Sequence, residues 1–596
     1  GADITGAGTT NIKGEVKSGR KIENKVVIGD GKKLDSTGTI SGAVDNAGTF
    51  ITGADGITGG VKNSGSLELT GGNLGCDITD ADPAAGTTKV SGAVTNSDGK
   101  TITQKGLTVG TAGTLTTDAG KLTITDTITD NGVLTLTGGS DTLSTGVTGS
   151  GTVNIGNGTE ATKITITKKI DAEKFNVSAN ATLKATGETI GREISNSGTV
   201  EVTGGTLGKA VSGSSGSVKF AGATVLDAKA EGAVLEFASG TVTVTNAAYI
   251  GGSKNTVDSG AVIEVTAGTI NTAITNGGTV KLDGAGLGGK HITAGVLEFA
   301  SDSTVADAGY IAADTNTIDA GATVTVQGGT LAKDITGAGT FKLGGTVAVT
   351  DNRQIKGTVE GNGQTLEMTT GSAGSTINTL SAGTLKGAIT LNLDVDMGSF
   401  SSDTLAIGTV DAGASVTVGG INIIKDITGD TVELPKEEDN KITYVTENGT
   451  TPANGSYAVS GGSITVTNSY IYTFTAAADR GKLKYKVEAA KVTLKKFVEG
   501  GLPGYETGET DPKTLSLTGD MTYSDTEADA GAVGQTNSTL EINLNGHNLT
   551  KTVEAMTVST GSKTLKLDGG SGAAAGRTDL SFNVGTGGAL DVSGKT

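Results

Sequence analysis

Cysteine occurs once in the 596 residues, histidine twice, proline five times and tryptophan not at all. The single cysteine, Cys76, rules out an internal disulfide framework and a cysteine-built zinc site. It stands in the turn-rich phrase Gly72-Asn-Leu-Gly-Cys76 and reads as a small apolar core residue. A Ser-His-Asp arrangement or a histidine metal site would need His291 or His547, and each lies beside a turn glycine. Positive charge is in deficit: 45 Lys and Arg against 63 Asp and Glu leave a net charge of −18. That balance argues against nucleic acid and against anionic lipid as partners. Long apolar runs are missing too, so no membrane-inserting helix is expected. The chain opens Gly1-Ala-Asp-Ile, with no secretory leader in view. Gly99-Lys-Thr101 and Gly594-Lys-Thr596 end like phosphate loops, but Val94 and Ala589 stand where the first glycine is required. Tandem calcium-binding nonapeptides are absent as well. No cofactor is expected.

What the chain does have is glycine, 98 residues of it, and self-similarity. Gly295-Val-Leu-Glu-Phe-Ala-Ser301 restates Gly232-Ala-Val-Leu-Glu-Phe-Ala-Ser239, and Val257-Asp-Ser-Gly-Ala-Val-Ile-Glu-Val265 returns as Ile318-Asp-Ala-Gly-Ala-Thr-Val-Thr-Val326. A short apolar-x-apolar strand core recurs at Val200, Val218, Leu235, Ile263, Val280, Leu297, Val324 and Phe341, in steps of 18, 17, 28, 17, 17, 27 and 17. These steps predict coils of 17–28 residues, two short and one long to each super-repeat. Period-two alternation says that each coil is made of strands. Units that bury their apolar face only on the next unit make a solenoid. The fold class is therefore all-β: a β-solenoid over residues 1–430, elongated and without substantial helix, with a right-handed parallel β-helix as the leading form.

Val61-Lys-Asn-Ser-Gly-Ser-Leu lines up with Ile194-Ser-Asn-Ser-Gly-Thr-Val. Such alignments place Asn46, Asn63, Asn96, Asn196 and Asn276 at one turn position, two residues after an apolar strand end. Asparagine suits a tight corner, and stacked amides form a hydrogen-bonded ladder. These five are expected to be architecture. Near residue 430 the alphabet shifts. Four of the prolines (Pro435, Pro452, Pro503, Pro512) and seven of the tyrosines lie beyond it. Residues 431–512 read as a compact β module packed on, or inserted into, the solenoid. Its Tyr444, Tyr457, Tyr470, Tyr472, Tyr485 and Tyr505 form the candidate contact surface, since interfaces favour amphipathic aromatics. From Lys513 to Thr596 the solenoid alphabet resumes.

The Gly-Gly-Thr-Leu and Gly-Thr-Val-x-Val phrases of the first 430 residues resemble the passenger repeats of autotransporter and filamentous-haemagglutinin-type adhesins. Ile542-Asn-Leu-Asn-Gly-His-Asn-Leu-Thr550 is similar to the coil signature of pectate-lyase-like bacterial surface proteins. The resemblance implies a right-handed parallel β-helix exported to the cell surface; the membrane-inserted C-terminal barrel of that family has no counterpart in this sequence.

Catalysis on such a fold needs clustered carboxylates with a metal or a base on neighbouring coils. Asp394 and Asp396 are the best local pair, and a solvated polar face explains them. Thr241-Val-Thr-Val-Thr245 and Thr135-Leu-Thr137 carry the hydroxyl spacing of ice-binding solenoids, yet Ser301-Asp-Ser-Thr304 breaks the array where it should recur. The expectation is a non-catalytic, extracellular bacterial surface protein, extended and structural or adhesive. A self-assembling filament or envelope subunit is the alternative, and a polysaccharide-active enzyme the weaker one. Partners are then the protein itself, end to end or laterally, or a host or neighbouring cell surface. Asp3-Ile-Thr-Gly-Ala-Gly-Thr9 repeats the mid-solenoid phrase Asp334-Ile-Thr-Gly-Ala-Gly-Thr340. This predicts a coil whose open edge another coil, from flanking sequence or a second copy, would cover.

Overall fold

The computed structural model describes residues 2–80, 85–187, 189–289, 292–370, 375–427, 440–467 and 470–489, and the backbone of nine short strands between Tyr505 and Ser593. Among the described residues there is no α-helix; the helical content is four three-residue 3-10 turns. The chain divides into two compact units, Gly1–Thr325 and Val326–Thr596.

Unit one is a parallel β-solenoid in which 35 strands pair into one continuous sheet, while Thr269–Ile270, Gly286–Leu287, Ser303–Val305 and Thr323–Val326 belong to a second, nine-stranded one. Its register carries like residues from coil to coil. Val26 lies on Val44, Val44 on Val61, Val61 on Ile78 and Ile78 on Ile102, all essentially without solvent contact. Ile4, Ile22, Ile40 and Ile57 form a second column through single bridges. Period-two strands put every other side chain inside, and each coil supplies the ceiling for the one before it. Burying one such aliphatic side chain is worth roughly 1.5–3 kcal/mol, so the stack is held by many equal contributions rather than by one centre.

The register corrects the expected coil length. In unit one, paired residues stand between 16 (Lys33 and Thr49) and 24 (Ile78 and Ile102) apart. The 28-residue step from Leu235 to Ile263 is not a coil. Leu235 pairs with Asn255, whereas Ile263 pairs with Val242, seven residues further along Leu235's own coil. Two columns result. One runs Val200, Val218, Leu235, Asn255, Ile274, Ile292, Ile311; the other runs Val242, Ile263, Val280, Leu297, Asn316. A super-repeat is thus three coils plus one further face, and residues alike in sequence land on adjacent faces. Asn255 and Asn316 show it: 61 residues apart, they sit in different columns, each donating from Nδ2 at 3.0 Å to the carbonyl three residues before it. The 3-10 turns Ala247–Tyr249 and Ala308–Tyr310 are another such pair, capped by Asn246 and Asp307.

Unit two continues with parallel pairings from Thr340–Leu343 through Arg353–Glu360, Thr379–Lys386 and Thr404–Val410 to Val445–Glu447. Solenoid strands therefore persist to Val459, which pairs with Val418. A four-stranded antiparallel sheet of Lys441–Thr443, Lys482–Ala489, Tyr470–Ala476 and Ile464–Thr467 stands beside them. Further on, Lys513–Leu517, Thr539–Asn543, Thr564–Asp568 and Ala589–Ser593 pair in parallel, in chain order.

Candidate functional site

The predicted asparagines are brought inside, between coils. Asn46, Asn63, Asn196 and Asn276 are buried and share one geometry. Each donates from Nδ2 to a carbonyl one coil on: Asn46 to Ser66, Asn63 to Thr87, Asn196 to Ser217 and Asn276 to Val296, at 2.8–3.0 Å. In every case the acceptor is the register partner of the residue three places after the asparagine. Asn46 and Asn63 also bond to each other, and Gln104 extends that column. Asn96 departs from the pattern. It ties its own turn through Lys100, with its Oδ1 accepting from the backbone N–H at 2.8 Å, and reaches Thr117 Oγ1 at 3.0 Å. Asp130 was missed. Ile128-Thr-Asp-Asn-Gly follows the same pattern as Ile274-Thr-Asn-Gly-Gly, with an acid for the amide.

The tyrosine contact surface is not supported. Tyr444, Tyr472 and Tyr485 are buried, and Tyr457 is half-buried. Antiparallel pairing puts Phe474 opposite Tyr485 and, with Tyr472, makes a ring cluster with centroids 6.3–6.4 Å apart. Phe400 stacks on Tyr485 at 5.8 Å, and Tyr444 meets Tyr457 edge-on at 6.4 Å. Tyr472 hydrogen-bonds Asp426. Burial pushes the Tyr457 and Tyr485 hydroxyls up to about 12 and Tyr444 still higher. These rings are the module's core, because a small sheet has little else to bury. The side chains of Tyr470 and Tyr505 lie outside the described residues, as do His291 and His547.

Asp394 is likewise not on a solvated face. It is fully buried and accepts from Thr370 N (2.8 Å), Thr370 Oγ1 (2.6 Å) and Asn422 Nδ2 (2.7 Å). Asp396 is half-buried and caps Ser399 N at 3.0 Å. The neighbour that matters is Asp403, buried and accepting from the backbone N–H of Asn378 (2.6 Å) and Asp394 (2.7 Å). Burial pushes Asp403 up to about 7 despite those donors, with the Asp394 and Glu367 charges adding to the rise. The three carboxyls fasten a hairpin to the solenoid. Among the described residues no three His, Cys, Asp or Glu side chains converge in a way that could hold a metal ion. Cys76 is buried, and burial pushes its thiol up to about 11, so it is unreactive at neutral pH.

Two kinds of outward column remain. The first is charged: Lys184, Glu201, Lys219 and Glu236 lie in register, and so do Glu264, Lys281 and Glu298 on the next face. Lys219 meets Glu236 at 2.6 Å, and Lys281 meets Glu264 at 2.9 Å. The second is neutral. Asn73, Thr95, Thr116, Thr135, Asn154, Asn176, Ser195 and Ser212 follow one another on eight successive rungs. All are half-buried or exposed. Bonds between rungs include Asn176 Nδ2 to Asn154 Oδ1 (2.8 Å) and Asn154 Nδ2 to Thr135 Oγ1 (3.3 Å). The strand holding Thr241–Thr245 does not carry its threonines into the next coil: Thr241 pairs with Val262, and Thr243 with Glu264.

No family model and no curated protein matches the sequence. Among solved structures, the chain is similar to the Haemophilus influenzae Hap adhesin, with a TM-score of 0.32 and 11% identity. That match covers 80% of this chain and 64% of the other, less than two thirds of its length. A likeness so remote says nothing of activity, ligand or location. Among the described residues no helix is long and apolar enough to cross a membrane.

Proposed function

We propose that this chain is a non-catalytic β-solenoid of the bacterial cell surface, extended and structural or adhesive, which binds through repetition rather than through a pocket. The neutral column from Asn73 to Ser212 carries the reading. Rung by rung, at about 4.8 Å, it offers hydroxyls and amides that both donate and accept. A chain with a net charge of −18 repels acidic partners over most of its surface, and an uncharged stripe is where a polar polymer or another copy can approach. Self-complementary donors and acceptors also favour a second copy, so lateral self-association is the second reading.

The test uses the full chain and a variant with Thr116→Lys, Asn154→Lys and Asn176→Lys, whose side chains all have solvent access. The expected result is that the parent binds whole cells, or sediments as oligomers, and that the triple variant loses that binding while melting at the same temperature. Undiminished binding by a folded variant rejects the column as the contact. Release of reducing ends from a panel of acidic glycans rejects the non-catalytic reading.

A further inference from the structure

We propose that Asp130 is a proton-controlled corner residue that takes the place of a buried asparagine between coils, so that the coils on either side of it grip more tightly as the surroundings acidify. The position is defined by its neighbours in type. Asn196 and Asn276 each accept from the backbone N–H two residues on, at 3.1 Å, and donate to a carbonyl on the next coil. Asp130 makes the first bond in the same way, its Oδ1 accepting from Gly132 N at 3.1 Å. The carbonyl that the shared corner geometry assigns to it is that of Thr152, the register partner of Val133. A carboxylate cannot donate that bond. Accordingly Asp130 Oδ2 is buried without a partner, in a side chain with no solvent contact.

Packing confirms the placement. A Cβ built on Gly151, just before Thr152, would stand 2.6–2.7 Å from the Asp130 carboxyl. One built on Gly216, just before Ser217, would stand 2.4–2.6 Å from the Asn196 amide. The acid and the amide therefore occupy equivalent niches, each under a glycine on the next coil. With a proton on Oδ2, Asp130 becomes the electronic match of asparagine and completes the second bond.

No charge compensates it. Asp126 on its own strand and Lys105 on the coil before point outward and are exposed, and Val147–Ile155 on the coil after carries no titratable side chain. Burial alone pushes Asp130 up, to about 6, while the N–H groups of Gly132 and Leu134 pull the other way. A folded value above the unfolded one means that the folded chain takes the proton first. The grip is then complete below about pH 4 and is lost as pH rises through about 6.

Hydrogen exchange in the full chain tests this at peptides spanning 122–137 and 147–155, corrected for the intrinsic pH dependence of exchange. Between about pH 7.5 and about pH 5, parent protection is expected to rise about tenfold, the part of a shift of about two pKa units that this window spans. Asp130→Asn should be protected at both values, with no trend, and Asp130→Ala should be poorly protected at both. A flat parent, a pH trend that survives in Asp130→Asn, or an Ala variant as protected as the Asn variant each overturns the proposal. So does failure of Asp130→Asn to fold, because the amide is what equivalent coils carry.

Discussion

Asn46 donates its Nδ2 proton to Asn63 Oδ1 at 2.7 Å, seventeen residues along the chain and one coil along the stack. Asn63 in turn serves Thr87 and Gln104. Each amide satisfies backbone that a strand corner would otherwise leave bare inside the core. The column is thus a polar spine laid within an aliphatic stack, and it fixes register where aliphatic packing alone would permit a slip.

Replacing Asn63 by alanine should cost about 2–4 kcal/mol, since buried partners on two coils lose their donor. Asn46→Ala should cost less, and the double variant less than the sum, because the two share one bond. Exchange protection of peptides spanning 44–69 gives the readout. Strict additivity would show that the spine does not act as a unit.

Asp403 should respond in the opposite sense to Asp130 when changed to asparagine. Both its oxygens accept backbone N–H groups. An amide can serve only one of them, so Asp403→Asn is expected to destabilise the hairpin by about 1–3 kcal/mol. In the parent, a carboxyl raised to about 7 gives stability that is present at acid pH and lost as pH rises through that value. Proteolysis near 395–405, followed from about pH 6 to about pH 8, should quicken in the parent, and a pH-independent rate would contradict this.

Gly213 sits at φ +144°, and a Cβ there would stand 1.9 Å from the Asn196 carbonyl. Gly213→Ala should therefore open the coils around it, at a cost of about 3 kcal/mol or more. Limited proteolysis should cut between 205 and 235 in the variant alone. Gly260→Ala is the control for backbone strain without collision: it has φ +81° with nothing near its Cβ, and it should cost about 1 kcal/mol.

Tyr485 and Tyr444 bury hydroxyls that find no partner. Tyr485→Phe should be neutral or stabilise unit two by about 1 kcal/mol, because it removes a desolvated group and keeps the ring. Tyr485→Ala should unfold the antiparallel sheet. A Phe variant that melts lower would mean that the hydroxyl has a role that burial does not reveal.

Much of this was written in the chain. Strand alternation, the glycine corners and the asparagines two residues past a strand end are local, and locality is what a sequence states directly: a period of two puts Val200 and Val202 on the same inner face as surely as it puts Glu201 outside. Asp130 was equally legible, and only its type disguised it. What only the tertiary structure decided is which residues meet. Repeats in sequence make Lys219 and Lys281 equivalent positions, following Val218 and Val280. In the fold they lie on adjacent faces, because the super-repeat exceeds three coils by one strand and its corner. Coil closure depends on how many residues the corners consume, and corners such as Ala247–Tyr249 carry no periodic signal. The tyrosines illustrate the same limit. Amphipathic rings suit an interface or a small core equally well, and the choice fell to the antiparallel pairing that folded Tyr485 against Phe474 and closed both away from water.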